Sequence, residues 1–165
     1  MPRALDIEDL PRIVDEFRQA ARNAIDAGMD GVELHGANGY LLHQFLSPSS
    51  NHREDAYGGI PEKRYRLVVE ILRAVAEEIG ADRVALRLSP QHNIQGIEET
   101  DAADVRATYG GLLRAVADLG LAYVSFLHAA PTGELITELS AEARANGRTR
   151  VILNSGFGQV TQRAE

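Results

Sequence analysis

The chain has 165 residues, 44% of them hydrophobic and 25% charged, with a net charge of −7 at pH 7 and no cysteine. That is the composition of one ordinary globular domain with room for a sizeable core. It excludes a disulfide framework, a thiolate nucleophile and a Cys-ligated metal within this segment, and it offers no basic stripe for nucleic acid.

No apolar run approaches the roughly 20 residues that a membrane span needs. The N-terminal residues lack the apolar core of a secretory signal, so the default expectation is a cytoplasmic protein without nucleic-acid or membrane partners.

Helix and strand signals alternate along the chain. Ile7, Leu10, Ile13, Val14, Phe17, Ala21, Ala24 and Ile25 recur at helical spacing, and Gly28 stops the run. Gly31-Val32-Glu33-Leu34-His35 reads as a short strand. A polar stretch over about residues 36–60 follows, interrupted by the apolar piece Tyr40-Leu41-Leu42-His43-Gln44-Phe45-Leu46. Pro61 opens the next helix, where its missing N–H costs nothing, and Gly80 closes it. Val84-Ala85-Leu86-Arg87-Leu88 is the second strand, stopped by Ser89-Pro90. A helix over 102–119, a strand over 122–127, a helix over 134–145 and a strand over 150–154 complete the pattern.

Four strands, each preceded by an amphipathic helix, make a parallel α/β arrangement. An open doubly wound sheet and a section of a closed barrel both fit that order. Loop chemistry favours the barrel. No strand is followed by a G-x-G-x-x-G phosphate loop, whereas His35, Ser89, His128 and Asn154 all stand at strand ends. Polar groups from many strand ends on one face are what a (β/α)8 barrel active site requires. Such barrels take about 250 residues, so this chain supplies about half of one.

The spacing His35-x-x-Asn38-x-Tyr40 gathers two hydrogen-bond donors and a phenol in one short Gly-rich turn. Two donors on one oxygen polarise a carbonyl, and a phenol beside them can deliver a proton. The plainer alternative is that His35 caps the strand and Tyr40 packs in the core. Arg87, in an otherwise apolar strand, suits either an anionic ligand or a salt bridge at the barrel mouth. Arg53 and Asp55 in the long polar loop read as a structural pair that pins the loop. His35, His43, His52 and His92 lack the i, i+4 helical spacing of a zinc site, so no metal is expected.

Gly31-Val32-Glu33-Leu34-His35-Gly36-Ala37-Asn38-Gly39-Tyr40-Leu41 with Gln44-Phe45-Leu46 resembles the substrate-binding strand and turn of the old yellow enzyme family. Ser50-Asn51-His52-Arg53-Glu54-Asp55-Ala56-Tyr57-Gly58-Gly59 and Arg83-Val84-Ala85-Leu86-Arg87-Leu88-Ser89-Pro90 resemble further segments of it. The resemblance runs from about residue 2 to the end. It implies an α/β fold, a partial (β/α)8 barrel of about four consecutive units (roughly strands 4 to 7). Residues 1–165 would be a single segment of an FMN-binding barrel domain that lacks the N-terminal strands and the last strand.

That resemblance implies FMN as cofactor, NAD(P)H as reducing co-substrate and an electrophilic alkene such as an enone as small-molecule partner. By position, His35 and Asn38 match the pair that binds the substrate carbonyl, and Tyr40 matches the catalytic proton donor. Arg87 matches the arginine beside the flavin pyrimidine. Gln95 falls where substrate-contacting residues stand. Gly156 and Phe157 match a region facing the flavin phosphate, for which a plain strand-ending turn is the alternative.

Two departures stand out. Many members read Phe-x-x-Phe-Asn where this chain has Gln91-His92-Asn93-Ile94-Gln95, and Ile60, Pro61 and Lys63 differ after the Gly-Gly pair. The early-strand flavin contacts and the Gly-Arg phosphate clamp of the family have no counterpart here. The expectation is therefore a fragment or truncated form of an oxidoreductase. The alternatives are a non-catalytic half-barrel that associates with a partner or as a homo-oligomer, or another barrel enzyme using the strand-end His as acid or base.

Overall fold

A computed structural model describes residues 4–155. After a short 3-10 turn at Ile7–Asp9 come helix α1 (Leu10–Asp26) and strand β1 (Val32–Gly36). Helices α2 (Leu41–Leu46), α3 (Pro61–Arg64) and α4 (Arg66–Ile79) lead to β2 (Val84–Leu88). Helix α5 (Ala102–Ala115) precedes β3 (Tyr123–His128), and α6 (Glu134–Arg144) precedes β4 (Arg150–Ser155).

All pairings are parallel, and the strands lie in the order β1-β2-β3-β4. Each unit therefore sits beside its successor, as short crossovers through a helix dictate. The register lays the strands out in rows. Leu34, Leu86, Val124 and Val151 share one row, and His35, Arg87, Ser125 and Ile152 share the next.

The two faces of the sheet differ in kind. Leu34, Val84, Leu86, Leu88, Val124 and Phe126 join Leu67, Ile71, Leu72, Val75, Leu112 and Leu139 of the helices in one buried cluster. Burial of each such side chain contributes about 1.5–3 kcal/mol. The opposite face carries Glu33, His35, Arg87, Tyr123 and Ser125, with small Ala85 and Ser125 covered and the charged groups partly open. A doubly wound sheet has apolar packing on both faces, whereas a barrel arc has helices on one face only. The one-sided core thus favours the barrel arc.

Neighbouring helices are also tied across their outer surfaces. Glu78 of α4 receives Arg18 at 2.6 Å and Arg22 at 2.7 Å, both from α1. Asp101 caps α5, its side chain accepting from the Ala103 and Asp104 backbone N–H groups. Among the described residues no helix is long and apolar enough to cross a membrane.

The long loop before α3 is pinned by its own side chains, as the Arg53–Asp55 spacing suggested. The Arg53 guanidinium donates to both oxygens of Asp55 and to the carbonyl of Leu5. Asn51 donates to the carbonyls of Phe45 and Tyr57, each at 2.7 Å. Gly58 lies so close to Arg53 that a Cβ there would stand 2.1 Å from its carbonyl oxygen. Arg64, only 3% exposed, reaches back to the Leu46 and Gly59 carbonyls and across to Asp104 and Thr108.

Candidate active site

The site is built where β1 ends. Asn38 and Gly39 both have positive φ, 57° and 76°, and Tyr40 N–H closes the turn onto the Ala37 carbonyl at 3.2 Å. Asn-Gly is the favoured dipeptide for a turn with two left-handed central residues. Part of the reason for Asn38 is therefore conformational.

Backbone groups of this turn are engaged from several sides. The Asn38 N–H donates to Ser89 Oγ at 2.9 Å, and the Gly39 N–H donates to His43 Nδ1 at 3.0 Å. Gln44 Nε2 donates to the Gly39 carbonyl at 2.7 Å, and the Gln44 N–H to the Tyr40 carbonyl at 2.9 Å. With the main chain satisfied in this way, the side chains of the turn are left for other work.

Those side chains gather at one place. The His35 and Tyr40 rings lie 5.3 Å apart, centroid to centroid, tilted by 52°. Tyr40 is 54% exposed, which rules out the core-packing alternative for it. The inward oxygen of Asn38 is buried and has no hydrogen-bond partner among the described residues. Arg87 sits beside His35 in register, and its nearest carboxylate, Glu33, stands 4.0 Å away. Among the described residues that separation leaves the guanidinium donors largely uncommitted. Burial, and secondarily the charge of Arg87, lowers the His35 pKa from the ordinary imidazole value, so its ring is neutral near pH 7.

The loop after β2 closes the other side. Gln91 and Gln95 both have positive φ, at 57° and 58°. Gln95 is exposed and packs directly on the turn: a Cβ on Gly39 would stand 2.5 Å from Gln95 Cβ and 2.9 Å from the Ile94 carbonyl oxygen. The structure thus brings together His35, Asn38, Tyr40, Arg87 and Gln95. Gly156 and Phe157 lie outside the described residues. Among the described residues no group of His, Asp and Glu is arranged to hold a metal.

Sequence reasoning missed the supports beneath the turn: His43, Gln44, Glu99 and Tyr109. Glu99 Oε1 accepts from the Tyr109 hydroxyl at 2.8 Å and faces His43 Nε2 at 3.3 Å. A Glu in a polar loop gives no hint that it is only 4% exposed.

The sequence pattern of the NADH:flavin oxidoreductase / NADH oxidase family matches residues 1–154. The chain belongs to this family. Its solved structural relatives include an old yellow enzyme homologue from Zymomonas mobilis (TM-score 0.80, 36% identity, covering 94% of this chain and 44% of that one). Morphinone reductase in complex with tetrahydroNAD superposes with a TM-score of 0.82 at 35% identity, over 95% of this chain and 42% of that one. Similarity in sequence extends to putative 12-oxophytodienoate reductase 10 of Oryza sativa subsp. japonica, 50% identical over 122 residues, which are 74% of this chain and 38% of the relative. Putative 12-oxophytodienoate reductase 5 of the same plant is 63% identical over 89 residues, 54% of this chain and 24% of that protein. The chain spans less than half the length of these family members. Its four strands are an arc of their (β/α)8 barrel.

Proposed function

We propose that the protein carrying this chain is an FMN-dependent ene-reductase, which uses NAD(P)H to reduce activated C=C bonds in enones and related electrophilic alkenes. One observation carries the proposal: the His35 ring and the Tyr40 phenol lie together at a strand end beside Arg87, on the turn that also bears Asn38, while the turn's main chain is held by other groups. The relatives' names, 12-oxophytodienoate reductase and morphinone reductase, agree with it.

The residues present fit a flavin. Arg87 has donors to spare for the electron-rich pyrimidine side, and Gly156 and Phe157 are proposed from sequence for the phosphate end. Bound FMN would carry a hydride from NAD(P)H to the β-carbon of the alkene. His35, neutral, and Asn38 donate hydrogen bonds to the substrate carbonyl, on whose oxygen charge builds during reduction. Losing one such donor typically costs about 100- to 1,000-fold in rate. Tyr40 gives its hydroxyl proton to the α-carbon and recovers one from water, to which its 54% exposure gives access. Gln95 contributes to the substrate wall. The nicotinamide would leave before the alkene enters, a ping-pong cycle.

Replacing Tyr40 by Phe in the FMN-loaded full-length protein tests the proposal. Flavin reduction by NAD(P)H is expected to change little. Reoxidation by an enone is expected to slow about 100-fold or more, the usual worth of a general acid. Equal slowing of the two half-reactions would overturn the role of Tyr40.

Exposure of Ile152 (46%) and Leu153 (42%) on edge strand β4 favours a second reading, a non-catalytic module that docks against a partner or a second copy. Flavin absorbance retained through purification of the 165-residue chain decides against that reading.

A further inference from the structure

Beneath the turn lies a buried His–Glu pair that the proposed chemistry does not use. His43, in α2, and Tyr109, in α5, are both fully buried, and Glu99, from the loop after β2, is 4% exposed. The Gly39 amide can only donate, so His43 Nδ1, 3.0 Å away, is the acceptor and carries no proton. The ring proton is then on Nε2, which faces Glu99 Oε1 at 3.3 Å.

Glu99 collects further donors. Its Oε1 accepts from the Tyr109 hydroxyl at 2.8 Å, and its Oε2 accepts from the Gln91 N–H at 2.8 Å. Its own N–H donates to Asn93 Oδ1 at 2.9 Å. Burial, followed by the charge of Glu99, holds the Tyr109 phenol well above its ordinary pKa, so it stays a donor. A continuous chain of bonds therefore runs from Gly39 through His43 and Glu99 to the backbone of the loop at Gln91. Above it, the same turn and loop touch directly, Gly39 against Ile94 and Gln95.

We infer that His43 and Glu99 are positioning residues: they lock the turn bearing Asn38 and Tyr40 to the loop bearing Gln95, and so fix where the substrate-facing side chains of the turn stand relative to that loop. The substrate part of this inference rests on the proposed function; the locking does not. A well-packed apolar pair would serve stability alone as well or better. Two polar groups bonded to two different backbones instead fix a distance, and a misplacement of about 1 Å near the chemistry can cost 100-fold in rate.

Three variants test it: His43→Leu, which removes both bonds; His43→Asn, whose side-chain oxygen can replace Nδ1 for Gly39 without reaching Glu99; and Glu99→Gln. The first readout needs no cofactor. Nitrogen NMR of the full chain is expected to show the Nε2–H tautomer of His43, and Gly39 amide exchange is expected to speed up about tenfold in His43→Leu and recover in His43→Asn. The second readout uses the FMN-loaded full-length protein. There, His43→Leu, His43→Asn and Glu99→Gln, each of which breaks the link between turn and loop, are expected to lower kcat/KM for an enone about 100-fold at unchanged flavin content. A protected Gly39 amide in His43→Leu, an Nδ1–H tautomer, Gly39 exchange no slower in His43→Asn than in His43→Leu, or undiminished kcat/KM in His43→Asn or Glu99→Gln would overturn the inference. If Gly39 exchange responds as expected but the unsubstituted protein reduces no enone, the locking stands and the proposed function falls.

Discussion

Replacing Arg64 by Met keeps the length of the side chain and removes its guanidinium. That group donates to the Leu46 carbonyl at 2.8 Å, to the Gly59 carbonyl, to both oxygens of Asp104 at 2.7 and 2.6 Å, and to Thr108 Oγ1 at 2.7 Å. The side chain is 3% exposed, and its bonds join the end of α2, the Gly-Gly loop and α5. Asp104, 24% exposed, can rehydrate, but Thr108 is only 1% exposed and cannot do so freely. Leaving one buried polar group unpaired costs about 1–3 kcal/mol, and breaking a buried ion pair from one side costs about 3–5 kcal/mol. The second figure already contains the first, so about 3–5 kcal/mol is the expected loss. For a protein of this size that lowers the unfolding midpoint by about 6–20 °C. Thermal and urea denaturation followed by circular dichroism measure it. Arg64→Lys is expected to fall in between, because an ammonium cannot span three elements at once. A loss under about 1 kcal/mol in Arg64→Met, or Arg64→Lys equal to the unsubstituted protein, would refute the multi-point clamp.

Gly39→Ala puts a methyl 2.5 Å from Gln95 Cβ at a φ of +76°. Strain and overpacking together predict about 2–5 kcal/mol of destabilisation and a displaced loop, checked by denaturation and by amide shifts over residues 91–97. His35 titrates below the ordinary imidazole value of about 6.5, because burial and then Arg87 disfavour its charged form. The folded state therefore binds fewer protons, so the stability this group contributes is present above about pH 6.5 and is lost as pH falls towards the folded value. Proton NMR of the ring gives the midpoint, and Arg87→Leu should move it upward; a midpoint at or above the ordinary value contradicts the geometry. Asp101→Ala removes the cap of α5 and should cost about 0.5–2 kcal/mol in the same denaturation assay.

The strands and most helix ends were legible because their signals are local. Glycines at 28, 80 and 120 follow helical runs, and the β-branched and apolar runs are bounded by polar residues. Helix α2 was visible only as an apolar piece, since six residues are too few to display a 3.6 period. The 3-10 turn at Ile7–Asp9 and the break between α3 and α4 at Tyr65 were likewise merged into longer helices. His35, Asn38 and Tyr40 were legible because one turn holds all three. His43 and Glu99 were not, because they are 56 residues apart and no period or spacing links a helix residue to a distant loop. The one-sided core, which distinguishes a barrel arc from a doubly wound sheet, appeared only with the register.

The contact of Gly39 with the Ile94 carbonyl and the Gln95 side chain has a consequence for redesign and divergence. The turn has no spare volume at position 39, so a side chain placed there would move the opposite wall. Ile94, by contrast, is 41% exposed, whereas Gln95 packs on the turn at a φ of +58°. Under the proposed function, a change at position 94 would reshape the rim of the site while the donors stay where they are. Under that function chemistry and selectivity would be carried by separate pieces of chain, and a library confined to position 94 should yield altered alkene preference far more often than lost activity.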